Sequence, residues 1–184
     1  MHVKNTIVEE IIVEYNKIRN VSNLNMNFYS KAIGKQDRAV NDFIHEIEID
    51  VDENDTFKQV EIMKKLKKAT VQRRKHKDNM QKTRVFERMK DIVDEQNDFR
   101  SQNFSITTGS DWSYQDIYNA VLILKEKVKK GKEVVTDSKE KGYLNCIFME
   151  INNSFQKLDE IIEIQENRVY EKRVEKNKKE KLYA

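Results

Sequence analysis

The chain has 184 residues, no proline and four glycines, and its residues are 36% charged and 38% hydrophobic. Turn-rich β-sandwiches and barrels need fixed-φ and positive-φ residues at hairpin after hairpin, so this composition speaks against them and for long helices. So much charge fits elongated rods with a large surface over a small core, and the periodic spacing of the apolar residues argues against disorder.

The first helix is expected over about 5–20, where Ile7, Ile11, Tyr15 and Ile18 share a face widened by Val8 and Ile12. The Ser and Asn side chains of the 21–25 segment compete for local backbone groups, which predicts a break there. A second helix follows over about 26–49, with Tyr29, Ile33, Val40, Phe43 and Ile47 at helical spacing. Gly34 inside it marks a kink or a close helix crossing.

Residues 50–55 read as a turn, after which Thr56-x-x-Gln59 has the pattern of a capping box. The next helix carries Phe57, Val60, Ile62, Met63 and Leu66, and then its apolar stripe almost stops, with Val71 alone between Thr70 and Asn79. It resumes at Met80, Val85, Phe86, Met89, Ile92, Val93 and Phe99. Two segments meeting near Asp78-Asn79 in a hairpin are the preferred reading, with one long helix and a wet middle as the other.

The least helical stretch is 101–111, which divides the chain into an N-terminal helical unit, 1–104, and a C-terminal helical hairpin, 105–184. Ser110 or Ser113 suits an N-cap, with Asp111 at the positive end of the helix that follows. That helix carries Tyr114, Ile117, Tyr118, Val121, Leu122 and Val128, and Gly131 is expected just past its end. In the last helix Leu144, Phe148, Ile151, Phe155, Leu158, Ile162, Gln165 and Val169 alternate in steps of four and three. That heptad seam suits a coiled coil or a long bundle helix and makes its first six residues candidates for oligomerisation. From about Glu171 the charged tail is expected to fray. The fold class is all-α: an elongated bundle of antiparallel helical hairpins, five to seven helices in all, with a coiled-coil-like C-terminal helix.

Charge is segregated along the chain. From Asp37 to Asp55 there are eight acidic residues and one basic, whereas from Lys58 to Lys90 there are thirteen basic and three acidic. The two segments could neutralise one another as packed helices. Alternatively the basic helix could bind nucleic acid through phosphates, or an acidic protein surface. Few aromatics are interleaved with the lysines, so stacking on single-stranded bases is poorly supported. Arg73, Arg74, Lys75 and Lys77 are the densest cations and the candidate docking residues. Trp112, the single tryptophan, is either an anchor between the halves of the chain or an exposed hot spot for a partner.

Asp50, Asp52, Asn54, Thr56, Lys58 and Glu61 occupy the ligand positions of an EF-hand calcium loop. Asp55 replaces the turn-forming glycine and Lys58 repels a cation, so a polar helix–helix turn is the better reading. His2, His45 and His76 lack partners at zinc-like spacing. No nucleophile elbow, phosphate-binding glycine loop or HExxH motif occurs, so no enzyme, cofactor or metal is expected. The lone Cys146, beside Leu144 and Ile147, is expected as a small buried hydrophobe. With no disulfide, no signal-peptide core near the start and no apolar run of membrane length, the expectation is a cytoplasmic protein that does not enter membranes.

The string Phe43-Ile44-His45-Glu46-Ile47-Glu48-Ile49, followed by a lysine-rich helix and Arg73-Arg74-Lys75-His76-Lys77-Asp78, resembles small uncharacterised phage proteins of low-GC Gram-positive bacteria. The resemblance covers about a quarter of the chain. It implies a phage or prophage origin, hence the cytoplasm of a host cell, and carries no activity. The favoured function is a non-enzymatic protein that grips and inhibits or regulates a host protein through helical surfaces. Nucleic-acid binding by 58–90 and assembly of a homodimer through the C-terminal seam are the alternatives.

Overall fold

The computed structural model describes residues 7–50, 55–90 and 112–182, with side chains for all of these but 50 and 177–182. Every regular element among them is helical: α1 (Ile7–His45), a π-helical turn (Glu46–Asp50), α2 (Thr56–Glu87), α3 (Tyr114–Val134) and α4 (Ser138–Leu182). At a rise of about 1.5 Å per residue, α1 is about 58 Å long and α4 about 67 Å. Among the described residues there are four long rods, where five to seven helices were expected over the whole chain.

The expected breaks are absent for identifiable reasons. Ser22 donates its hydroxyl to the Ile18 carbonyl at 2.8 Å, and Asn25 donates its amide to the Trp112 carbonyl at 2.5 Å. Both side chains are fully buried. The Ser22 bond shares a carbonyl of its own helix and the Asn25 bond leaves it for a residue beyond α1, so neither displaces a backbone hydrogen bond and the helix runs through. A Cβ on Gly34 would meet nothing within 4 Å, so no close crossing occurs there. In α2 the wet middle is a stretch of one continuous helix, and no hairpin forms at Asp78-Asn79.

Caps follow simple electrostatics. Asp55, one residue before Thr56, caps α2 by accepting the Lys58 amide at 3.0 Å, because a carboxylate suits the positive helix end. Ser113 caps α3 in a full capping box with Asp116. Gly131 does not terminate α3: it is buried inside it, where a Cβ would lie 3.2 Å from Ile11 Cδ1 and 3.3 Å from Leu144 Cδ1. Its lack of a side chain lets α1, α3 and α4 converge.

Cross-helix contacts fix the topology. Tyr15 donates to the Lys90 carbonyl at 2.8 Å, and the Tyr29 and His76 rings lie 6.1 Å apart, so α1 and α2 are antiparallel. Lys127 reaches Glu14 at 2.6 Å and the Tyr114 amide donates to the Tyr29 hydroxyl at 3.2 Å, so α3 also opposes α1. Gln165 donates to the Asp78 carbonyl at 3.3 Å and Glu150 accepts the Lys90 amide at 3.2 Å, so α4 opposes α2. The helices form a four-cornered bundle in which α1 and α4, and α2 and α3, occupy the diagonals.

One core joins all four helices. It contains Ile11, Tyr15 and Ile18 of α1, Phe86 of α2, Val121 and Leu124 of α3, and Leu144, Ile151 and Leu158 of α4. Phe148, Phe155 and Ile162 pack against it, partly buried. The heptad seam of α4 therefore faces α1–α3 of the same chain. Beyond the end of α3, the upper parts of α1 and α2 continue as a two-helix arm in which Ile62 and Ala69 are buried between them. Here α4 also runs on past the core, helical to Leu182 where fraying was expected.

No helix among the described residues is long and apolar enough to cross a membrane.

Candidate docking groove

Where the arm leaves the four-helix core, α2 and the distal part of α4 stand apart. Between them lies an open groove of about 610 Å³. Val71, Ile162, Val169 and Tyr170 give it apolar lining, and Arg74, Lys75 and Lys82 of α2 face Arg173 of α4 across it. Val71 is 61% exposed, Val169 51% and Tyr170 69%. The α2 residues 71, 74, 75, 78 and 82 recur in steps of three and four, as do 162, 165, 166, 169 and 173 of α4. Each wall is thus one helical stripe.

The same stripe of α2 is treated differently along its length. Toward the C-terminus it carries Phe86, and Met89 follows just past the helix end, both buried in the core. Toward the N-terminus it carries Val71, which is 61% exposed and which no side chain among the described residues covers. Gln165 closes the lower end, donating to Gln81 Oε1 at 3.2 Å. Within the groove Arg74 is held by Asp78 through its Nε, at 3.1 Å, and Lys82 lies 5.4 Å from the centre of the Tyr114 ring. The groove therefore has pre-positioned cations along an apolar floor, with Asp78 and Glu166 the two acidic residues lining it.

The structure separates the five candidate docking residues. Arg74 and Lys75 line the groove. Arg73 points the other way and pairs with Asp37 of α1, so its charge is used inside the arm. Lys77 lies outside the groove lining, partly buried. Trp112 packs against the core, with its carbonyl bound by Asn25 and Lys17 5.9 Å from its ring centre. This is the anchoring arrangement and not an exposed hot spot. The acidic and basic segments meet in the Arg73–Asp37 pair, and Glu46 acts electrostatically on Lys65, while most lysines of α2 face solvent.

Val169, Tyr170 and Arg173 were not legible as site residues. Val169 reads as the last position of the heptad seam, while Arg173 falls in the charged stretch expected to fray from about Glu171. Of the calcium-type loop, residues 52 and 54 lie outside the described residues. Thr56, Lys58 and Glu61 belong to α2, where Glu61 pairs with Lys65 at 2.9 Å. No cluster of metal-binding side chains occurs among the described residues. Cys146 is exposed, not buried, because Leu144 and Ile147 on either side of it take the inward positions of α4.

Two tyrosines under the groove are perturbed. Burial pushes the Tyr114 hydroxyl up to about 12, with Tyr118 and Asp159 adding to it. Burial likewise raises Tyr29. Asp116 is lowered by its hydrogen bonds to Ser113.

Compared with known family models, curated proteins and solved structures, the chain finds no match.

Proposed function

We propose that this chain is a non-catalytic docking protein of phage type, which binds a host protein through the groove between α2 and α4 and thereby inhibits or regulates it. One observation carries the reading: a row of exposed apolar side chains, Val71, Val169 and Tyr170, framed by Arg74, Lys75 and Arg173. Exposed apolar area ringed by charge is the usual composition of a protein-binding surface, where burial supplies affinity and charge supplies orientation. Helical walls hold those side chains in place before binding, which lowers the ordering cost of association.

Nucleic-acid binding is the second reading. It is favoured by the exposed lysines of α2, among them Lys64, Lys67, Lys68 and Lys75. Phosphate contacts alone, however, give no role to Val71, Val169 and Tyr170.

Affinity capture from host lysate after nuclease treatment separates the two. Docking on a protein predicts a nuclease-resistant partner that the Lys75→Glu variant fails to retain. Recovery of nucleic acid alone, with duplex binding that strengthens steadily as salt is lowered, supports the second reading and removes the first.

A further inference from the structure

The groove's walls restrict what it can hold. Both are α-helices, whose backbone donors and acceptors are used within each helix, so there is no strand edge on which an extended peptide could add a strand. What the walls do offer is two stripes of side chains, each in steps of three and four, standing side by side and antiparallel. This is the surface into which the knobs of a third helix fit. In the lower bundle that geometry is already filled: Phe86 of α2, on the same stripe as Val71, is buried in the core. At Val71, Val169 and Tyr170 no element among the described residues takes the corresponding position.

Resting on the docking reading above, we infer that the occupant is an acidic amphipathic α-helix of the partner protein. From residue 71 to residue 82 the α2 wall extends about 17 Å, the length of three helical turns. An occupant of that length sets one end of its apolar stripe on Val71, Val169 and Tyr170, at one level of the groove, and the other end, about i+7, on Ile162. Glutamates or aspartates flanking its stripe meet Lys75 and Arg74 on one wall and Arg173 on the other. The exposed wall residues and the cations are then matched at once. A basic or neutral helix would satisfy only the floor, and a nucleic acid backbone only the cations.

The test uses the full chain and a labelled synthetic peptide of about three heptads, with Leu at the first and fourth positions and Glu at the flanking ones. Fluorescence anisotropy reads binding, and ellipticity at 222 nm reads helix gained. The expected result is saturable binding with a gain of helicity. A scrambled peptide of identical composition, and the same heptads with Lys for Glu, should bind at least about tenfold more weakly, a difference of one decade in Kd. Lys75→Glu and Val169→Asn should each weaken the acidic peptide about tenfold while leaving the melting curve in place, since both side chains are exposed.

Equal binding of the scrambled peptide overturns the inference, because the groove is then only a sink for polyanions. So does displacement of the peptide by duplex DNA of similar charge at equal concentration, or no binding at all up to about 100 μM, weaker than a helix-in-groove contact should be. If those results come while lysate capture still yields a groove-dependent protein partner, docking stands and the helical occupant falls. If capture fails while the peptide binds, the groove chemistry stands and the assignment to a host protein falls.

Discussion

Arg73 of α2 and Asp37 of α1 meet across the arm, the guanidinium Nε donating to the carboxylate Oδ1. The pair ties the two helices beyond the point where α3 supports them, and it removes Arg73 from the cations available to a partner. Arg74, the next residue, faces the opposite side and the groove. Both members of the pair keep over a third of their side-chain surface in water, so Arg73→Ala should cost no more than about 1 kcal/mol of stability. Partner affinity should be nearly unchanged, whereas Arg74→Ala should weaken it. Denaturant melts and binding measurements on the two variants check this; the reverse pattern would place the docking face on the other side of α2.

The three glycines described in helices divide by their surroundings. Gly34 and Gly142 have nothing within 4 Å of a built Cβ. Replacing either with Ala should therefore stabilise the chain by about 0.5–1 kcal/mol, through lower backbone entropy in the unfolded state. Gly131 sits against Ile11 and Leu144, so Gly131→Leu should force the three helices apart and destabilise by about 1–3 kcal/mol or more. Thermal melts followed by circular dichroism separate the two classes by sign.

Leu158 is fully buried among the other helices of its own chain. Leu158→Ala should cost about 2–5 kcal/mol, as for other leucines removed from packed cores. Because the seam is intramolecular, the midpoint should not depend on protein concentration for either the parent chain or the variant. A midpoint rising with concentration would show that α4 is stabilised by a second copy.

Alkaline stability follows from the two tyrosines. The folded-state value of Tyr114 is raised from 10.0 to about 12, and that of Tyr29 is raised as well, in both cases chiefly by burial. The neutral form is favoured in the fold, so this contribution is fully present below pH 10. It is lost as pH rises from there toward 12, where the unfolded chain has ionised and the folded chain has not. Absorbance at 295 nm should show two tyrosines titrating late, together with the loss of helicity. Tyr114→Phe should flatten that step.

Helix type and the location of the core were legible because apolar residues at steps of three and four leave little choice of partner. Ile7 to Ile18, Ile117 to Val128 and Leu144 to Ile162 could be read as buried faces directly. Helix ends were less legible. Ser22, Asn25 and Gly131 are breakers by local preference; Ser22 turns its hydroxyl back on the Ile18 carbonyl, while the other two are overridden by contacts from far along the chain, Asn25 by Trp112 and Gly131 by Ile11 and Leu144. The groove was half legible. Arg74 and Lys75 stand out as a charge run, but their division from Arg73 depends on which face of α2 meets α1. The opposite wall depends on α4 remaining helical through Arg173 beside α2, a relation between residues about ninety positions apart.

The most direct test of docking through the groove is lysine cross-linking of the complex captured from host lysate, read by mass spectrometry. The account predicts that partner peptides are joined to Lys75 and Lys82, beside the groove, and that Lys75→Glu removes the complex. Cross-links confined to Lys127, Lys129 and Lys132 at the far end of α3, with the complex surviving Lys75→Glu, would contradict it.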